Sequence, residues 1–306
     1  MKPRHLAVAG AMLVLTASMQ AALTHDYFEY GSTDGSLAGL TTSDTTGWDA
    51  DTWSGDSDPL YITTNDPIVF VASNITEAVG YANTIAGGCL RGDNGSIGTI
   101  TRGFANPLAD TVWISVVVSN SWWNSPPGFT KNHVQFLING NPDDSFGAMC
   151  TGNSTTYGWF VYENGVFTSN AYDGAMTAAP VLLVVKLRTD YSGSDDELTL
   201  WLLPYGEMYP TGRTVADLGS DSYVTATAQD IWGDSITNIG ITILAQSDTR
   251  NIQADSLRIS YGNITDDMHV YEVLSGTPIP EPVAAVAVLA LGIAAVVRVR
   301  GSGFRQ

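Results

Sequence analysis

Between residues 23 and 277, short apolar runs alternate with stretches rich in Gly, Ser, Thr, Asn and Asp. The runs are too short for helices of ordinary length, and most are rich in Val, Ile, Tyr, Phe or Trp, so they read as strands. They are Pro67–Ala72, Thr111–Ser119, His133–Ile138, Tyr157–Tyr162, Val181–Arg188, Leu198–Leu203, Ile239–Leu244, Leu257–Ser260 and His269–Leu274. Turn-forming clusters separate them: Asn139–Asp144, Glu163-Asn164-Gly165, Tyr191–Asp196 and Tyr261-Gly262-Asn263. Thr111–Ser119 and Val181–Arg188 are almost continuously apolar, which predicts strands covered on both faces in the middle of a sheet. Leu198, Leu200 and Leu202 alternate with Thr199, Trp201 and Leu203, a weaker period of two. The segment from Asp26 to Thr64 is too polar and Gly-rich for central strands and reads as a long loop pinned by Trp48 and Trp53. The pattern predicts an all-β fold, an antiparallel jelly-roll β-sandwich with no intervening helices. No fixed-period repeat is present, which argues against a solenoid or propeller.

The two ends have a different character. Met1–His5 is basic, Leu6–Leu15 apolar and Ala17–Ala22 rich in small residues, the layout of a secretory signal peptide over 1–22. The β-sandwich domain then occupies 23–277. In 278–306, Pro278-Ile279-Pro280-Glu281-Pro282 leads into Val283–Val297, 15 residues without a charge, followed by Arg298-Val299-Arg300. As a helix that run spans roughly 22 Å, short of the ~30 Å hydrocarbon core, with Arg298 and Arg300 able to snorkel. A transmembrane helix with cytoplasmic arginines and an exported body is expected.

Charge narrows the range of partners. The chain has 13 Lys+Arg and 31 Asp+Glu, a formal net charge of −18. Five of those basic residues and one acid lie in the end segments, so the body carries eight basic and 30 acidic residues. Clustered cations that would neutralise phosphates are missing, and nucleic acid is not an expected partner. Cys89 and Cys150 are the two cysteines; in an exported chain they are candidates for a disulfide, the alternative being two separate thiols.

Candidate chemistry is sparse. Trp122-Trp123-Asn124 lies in a polar, Pro-containing stretch, where adjacent tryptophans and an amide suit a sugar-stacking platform. The alternative is one Trp capping the sandwich edge with the other partly exposed. Trp48, Trp53, Trp113, Trp159 and Trp201 read as packing residues. Glu163 and Glu197 have no acid at alternating positions on the same strand, as a glycosidase pair would require. No nucleophile elbow or phosphate-binding loop occurs. His5, His25, His133 and His269 show no zinc spacing. The expectation is a protein that is not an enzyme.

Two resemblances add to this reading. Pro280-Glu281-Pro282, the apolar span and the Arg298/Arg300 end resemble a PEP-CTERM sorting signal. That resemblance implies a bacterial envelope producing exopolysaccharide, an exosortase-type processing enzyme as partner, and transient inner-membrane anchoring before release to the cell surface or extracellular matrix. The body resembles concanavalin A-like (laminin G/jelly-roll) domains. The resemblance rests on Tyr27–Tyr30 with Gly39-Leu40, Gly47-Trp48 and Trp53-Ser54-Gly55, on Leu182–Arg188 with Asp195–Pro204, and on Ala254–Ser260. It implies one structural calcium ion, with Asp34 and Asp255 as the acids placed to hold it; the alternative is that both are solvated turn acids. The function expected is a non-catalytic, lectin-like sandwich associating with extracellular polysaccharide. The alternatives are a glycan-active hydrolase or lyase of the same fold, or a purely structural adhesion or matrix protein.

Overall fold

The computed structural model describes residues 22–26, 35–36, 46–49, 52–55, 60–63, 89–92, 97–120, 132–151, 156–163, 165–171, 180–189, 196–204, 214–219, 222–227, 233–244 and 252–276. The strands in chain order are β1 (Ala22–Asp26), β2 (Gly35–Ser36), β3 (Ser54–Gly55), β4 (Leu60–Thr63), β5 (Cys89–Gly92), β6 (Ile97–Leu108), β7 (Thr111–Asn120) and β8 (Asn132–Ile138). They continue with β9 (Asn141–Thr151), β10 (Thr156–Glu163), β11 (Val166–Ala171), β12 (Val181–Arg188), β13 (Asp196–Pro204), β14 (Ser222–Thr227), β15 (Ile236–Leu244) and β16 (Ile252–Tyr261). Among the described residues a 3-10 turn, Val215–Leu218, precedes β14, and a helix α1, Asp266–Ser275, follows β16.

The strands form two antiparallel sheets. The first runs β14-β13-β12-β7-β16-β5-β4-β2, with β1 also on β16, and the second runs β11-β10-β9-β8-β15-β6-β3. Strands β8 and β15 lie side by side in the second sheet as β7 and β16 do in the first, so consecutive strands cross between sheets in the interleaved manner of nested Greek keys. Alternate residues of each sheet meet in one core. Val112, Ile114, Val116, Leu183, Val185, Leu200 and Ile259 from the first sheet pack with Ile100, Phe136, Phe146, Ile239 and Ile241 from the second.

The continuous apolar runs are explained by a second core on the opposite face of the first sheet. Trp113, Val117, Leu182, Val184, Trp201 and Leu203 point away from the sandwich and are covered by Leu218 and by Val270, Val273 and Leu274 of α1. Trp113 and Trp201 stack there at 5.4 Å and 11°. Both faces of β7 and β12 are therefore buried, as expected, but the outer cover is helical; β13, read as a weaker alternation, is buried on both faces too.

That cover corrects the strand expected at His269–Leu274. The segment is the body of α1 because its ends are capped. The Thr265 side chain accepts from the Met268 amide at 3.3 Å, Asp266 and Asp267 occupy the first turn, and Gly276 stops the helix at φ 66°. Val270, Val273 and Leu274 also fall on one helical face. The segment 26–64 is not a plain loop either, since it supplies β2, β3 and β4, while Trp48 and Trp53 are buried as expected.

Strand β16 carries the device that joins the two cores. Its register to β7 shifts between Asp255 and Arg258, and Ser256 sits at φ 55°. This bulge inverts the alternation: Ala254 faces the main core before it, and Leu257 and Ile259 face it afterwards. Arg258 and Ser260 are thereby turned towards α1. The strand expected at Pro67–Ala72, residues 1–21 of the leader expected over 1–22 (Ala22 begins β1) and the tail from 277 onwards lie outside the described residues. Among the described residues no helix is long and apolar enough to cross a membrane.

Candidate functional site

The outer face of the second sheet is built by the residues that alternate with its core positions. Following the strand register across it, one row runs Thr99, Thr242, Gln135, Gly147, Phe160. The next runs Thr101, Gly240, Leu137, Ser145, Tyr162, Phe167. The β3–β6–β15 side is a hydroxyl surface, where Thr99 and Thr242 hydroxyls lie 2.7 Å apart and those of Ser54 and Thr101 3.2 Å apart. Between the two sides Gln135 donates to the Ser145 hydroxyl at 2.6 Å, and both are buried.

The β10–β11 side is aromatic. Phe160 and Phe167 rings lie 5.9 Å apart at 27°, and Tyr162 tilts against Phe167 at 5.1 Å. His133, at the start of β8, meets Phe160 edge-on at 5.2 Å. Phe160 is the floor of this cluster. Gly147 leaves room for it, since a Cβ there would come within 2.7 Å of the Phe160 ring and 2.0 Å of the Val134 carbonyl oxygen. Tyr162 is half-buried, and Phe167 remains 44% exposed at the rim. The turn from Glu163 to Val166 is held by the Gly165 amide donating to the Asp143 carbonyl at 3.0 Å. An accessible ring backed by further rings can stack on the apolar face of a pyranose, and the hydroxyl row begins three strands further along the same face, within reach of a longer glycan.

The residues singled out from the sequence distribute as follows. Trp122, Trp123 and Asn124 lie outside the described residues, in the connection from β7 to β8, which delivers the chain to Asn132 and His133 beside the aromatic cluster. Asp34 and the tail residues Pro280, Glu281, Pro282, Arg298 and Arg300 also lie outside them. Asp255 is buried in the β16 bulge, where its Oδ1 accepts from the Ser256 amide at 2.6 Å. Among the described residues no three His, Cys, Asp or Glu side chains gather as a cation site. Cys89 lies on β5 of the first sheet and Cys150 on β9 of the second. Glu163 ends β10 in the second sheet, whereas Glu197 lies on β13 in the first, 3.6 Å from Arg188.

A buried polar cluster under α1 escaped the sequence. The Ser260 hydroxyl donates to Glu272 Oε2 at 2.5 Å and lies 2.7 Å from His269 Nδ1; all three residues are fully buried. Arg258 beside them donates to the Leu274 carbonyl at 2.6 Å, near the C-terminal end of α1. Burial lowers the His269 pKa from 6.5 to about 4, against the raising influence of the Asp266 carboxylate and the Gly262 backbone. Serine here bridges histidine and glutamate, instead of histidine linking the other two, and no member reaches solvent. The group fastens the helix; it is not built as a nucleophile. Only the spacing His269-x-x-Glu272 on one helical face hinted at it, and reading that segment as a strand hid the spacing.

No family model matches the chain, and no curated protein matches it in sequence. Among solved structures it is similar to a conserved carbohydrate esterase from Shiga toxin-encoding bacteriophage phi24B, at 10% identity and a TM-score of 0.42, covering 76% of this chain and 100% of that one. It is similar to the T. cruzi calreticulin globular domain at 11% identity and TM-score 0.41, covering 80% and 92%. It is also similar to the winged bean acidic lectin complexed with methyl-alpha-D-galactose, at 10% and 0.39, covering 79% and 99%.

Proposed function

We propose that this chain is an exported, non-catalytic β-sandwich that associates with extracellular polysaccharide through the outer face of its second sheet. The observation that carries the reading is the Phe160–Tyr162–Phe167 cluster, with Phe167 open at the rim and a hydroxyl row on the same face. Phe167 is exposed at the edge of a group of rings on one face, an arrangement that suits contact with a ligand. Trp122, Trp123 and Asn124, in the stretch of sequence between β7 and β8, are the further candidates for stacking on the polysaccharide. Glu163 and Glu197, carried by different sheets, do not flank a common bond, which supports the non-catalytic assignment. Export through the 1–22 leader and sorting through Pro280-Glu281-Pro282, the apolar span and Arg298/Arg300 bring the sandwich to the bacterial envelope or matrix. An exosortase-type enzyme removes the tail there.

The test is co-sedimentation of the protein with insoluble neutral polysaccharides, alongside Phe167→Ala and Trp122→Ala/Trp123→Ala. Retention of the wild type and loss in the variants, with unchanged thermal unfolding, is expected. No retention on any polysaccharide, or equal retention of all three proteins, would overturn the reading. Intact-mass measurement of envelope-extracted protein checks the sorting, because a retained Phe304-Arg305-Gln306 end contradicts it.

A further inference from the structure

We infer that the β6 end of the second sheet's outer face carries a separate sugar subsite centred on Asp49, whose carboxylate accepts hydrogen bonds from the hydroxyls of a neutral glycan. The inference rests on the polysaccharide reading and gives the ligand a direction and a size. One glycan chain crosses the strands, from the rings at Phe167 to the carboxylate of Asp49.

The backbone fixes where Asp49 points. Trp48 forms an antiparallel bridge to Phe104 of β6, the Asp49 amide donates to the Gly103 carbonyl at 3.0 Å, and the Ala105 amide donates to the Gly47 carbonyl at 3.0 Å. Trp48 is buried in the main core, so its neighbour in this extended pairing turns to the opposite side, and Asp49 is exposed. Gly103 lies between the buried residues Arg102 and Phe104, so its own missing side chain would project from the outer face. The Asp49 carboxyl group occupies that space. A Cβ on Gly103 would overlap Oδ2 and come within 2.6 Å of Cγ. Among the described residues no side chain or amide donates to this carboxylate. An acid that only kept the surface wet would need no such glycine seat.

The surroundings suit a sugar. Asn238 of β15 pairs with Gly103, and Thr101, the next outer position of β6, has its hydroxyl 3.2 Å from that of Ser54. A carboxylate is acceptor-only and takes protons from neighbouring hydroxyls of one ring, while the amide and hydroxyls beside it both donate and accept. The same charge, with a net −18 over the chain, repels a uronate polymer, so the glycan is neutral. Asp49 lies over β6 and Phe167 on β11, with β15, β8, β9 and β10 between them. Five strand spacings make about 24 Å. A trisaccharide falls short of that span and a hexasaccharide covers it. Two modest contacts on one chain then reinforce each other, because the second forms at high effective concentration.

The test uses the full chain and soluble oligosaccharides cut from a neutral polysaccharide that retains the wild type. The trisaccharide and the hexasaccharide compete for that retention. For the wild type the hexasaccharide should compete at least about tenfold better, the scale of one hydrogen bond to a charged group. Asp49→Asn, which keeps the shape and loses the charge, should reduce the hexasaccharide to the trisaccharide's level. Gly103→Ala, which displaces the carboxyl group from its seat, should do the same. Asp267→Asn, on α1 at the opposite side of the sandwich, should leave the hexasaccharide advantage intact. A uronate hexasaccharide should compete no better than the neutral trisaccharide. Equal competition by the two neutral chains in the wild type, or an undiminished hexasaccharide advantage in Asp49→Asn, would overturn the subsite. Retention that still depends on Phe167 would in that case leave the proposed function standing, whereas a wild type retained by no polysaccharide would remove both.

Discussion

The carboxylate of Asp26 on β1 lies 2.9 Å from the guanidinium of Arg102 on β6, so one buried ion pair ties the first sheet to the second. Trp53 Nε1 donates to the same carboxylate oxygen at 2.8 Å, and Trp48 stacks beneath the guanidinium at 4.5 Å. Trp48 in turn stacks on Phe104 at 5.1 Å. The Gly- and Asp-rich N-terminal segment is thus pinned by a charge held between tryptophans, which gives the two early tryptophans a structural task.

Asp26→Ala should destabilise the domain by about 3–5 kcal/mol, because it leaves Arg102 buried without its counter-charge. Replacing both partners with apolar residues, as in Asp26→Leu/Arg102→Met, should cost much less than either single change. Urea unfolding of the single and double variants measures this. Equal losses in a strictly additive cycle would mean that the pair contributes no coupling.

Helix α1 should behave as a capped element. Thr265→Ala is expected to cost about 1 kcal/mol through loss of the bond to the Met268 amide. Gly276→Val should cost more than about 1 kcal/mol, because a β-branched residue is forced to positive φ. Val273→Ala, deep in the second core, should cost about 2–4 kcal/mol. Thermal unfolding with helix-sensitive circular dichroism checks all three. If Thr265→Ala and Gly276→Val left stability unchanged, the segment would not be the capped helix described.

The legible parts of this fold were those where one physical signal dominated. Val181–Arg188 could only be a fully covered strand, and Asn139-Gly140 could only turn a hairpin, which it does with both residues at positive φ. What covered the strand was not legible. His-Val-Tyr-Glu-Val-Leu has the β-branched content of a strand, and only the capping residues at either end, four or more positions from the middle of the run, decide for a helix. Strands β6 and β9 are rich in Gly, Thr, Asn and Asp and looked like connections, because their outer positions face the opposite side of the sheet from the core. The aromatic cluster was hidden for a related reason. Phe160, Tyr162 and Phe167 lie within a strand and its hairpin return, where aromatic residues ordinarily mean core; only the register shows them facing outward. The Trp122-Trp123 signal pointed to the connection that leads into β8, adjacent to that face in the chain.

Gly147→Ala tests whether the floor of the aromatic cluster is set by backbone shape. The added methyl would collide with the Val134 carbonyl oxygen, which belongs to a paired strand and cannot move freely, and with the Phe160 ring. Destabilisation of about 1–3 kcal/mol is expected, with polysaccharide retention weakened as Phe160 and the rings above it shift. Retention unchanged in a protein that is measurably destabilised would show that Phe160 only supports the sheet.

The pH dependence of stability should contain a component from His269. Its folded pKa, about 4, lies below the ordinary 6.5 because burial disfavours the imidazolium. Between those two values the unfolded chain binds the proton and the folded chain does not. Stability from this group is therefore fully present above about pH 6.5, falls as pH drops towards 4, and levels off below that. The amplitude is on the order of 3 kcal/mol, from about 1.4 kcal/mol per pKa unit. Among the described residues Glu272 and Asp266 on α1, Arg258 on β16 and Lys186 on β12 are other ionisable or charged groups facing this part of α1. The comparison between wild type and variant must therefore be differential. His269→Gln, which can keep a hydrogen bond to Ser260, should remove one proton's worth of slope between pH 4 and 6.5 in urea-unfolding free energies. If wild type and variant gave parallel curves across that window, His269 would not be the buried neutral group that fastens α1 to the first sheet.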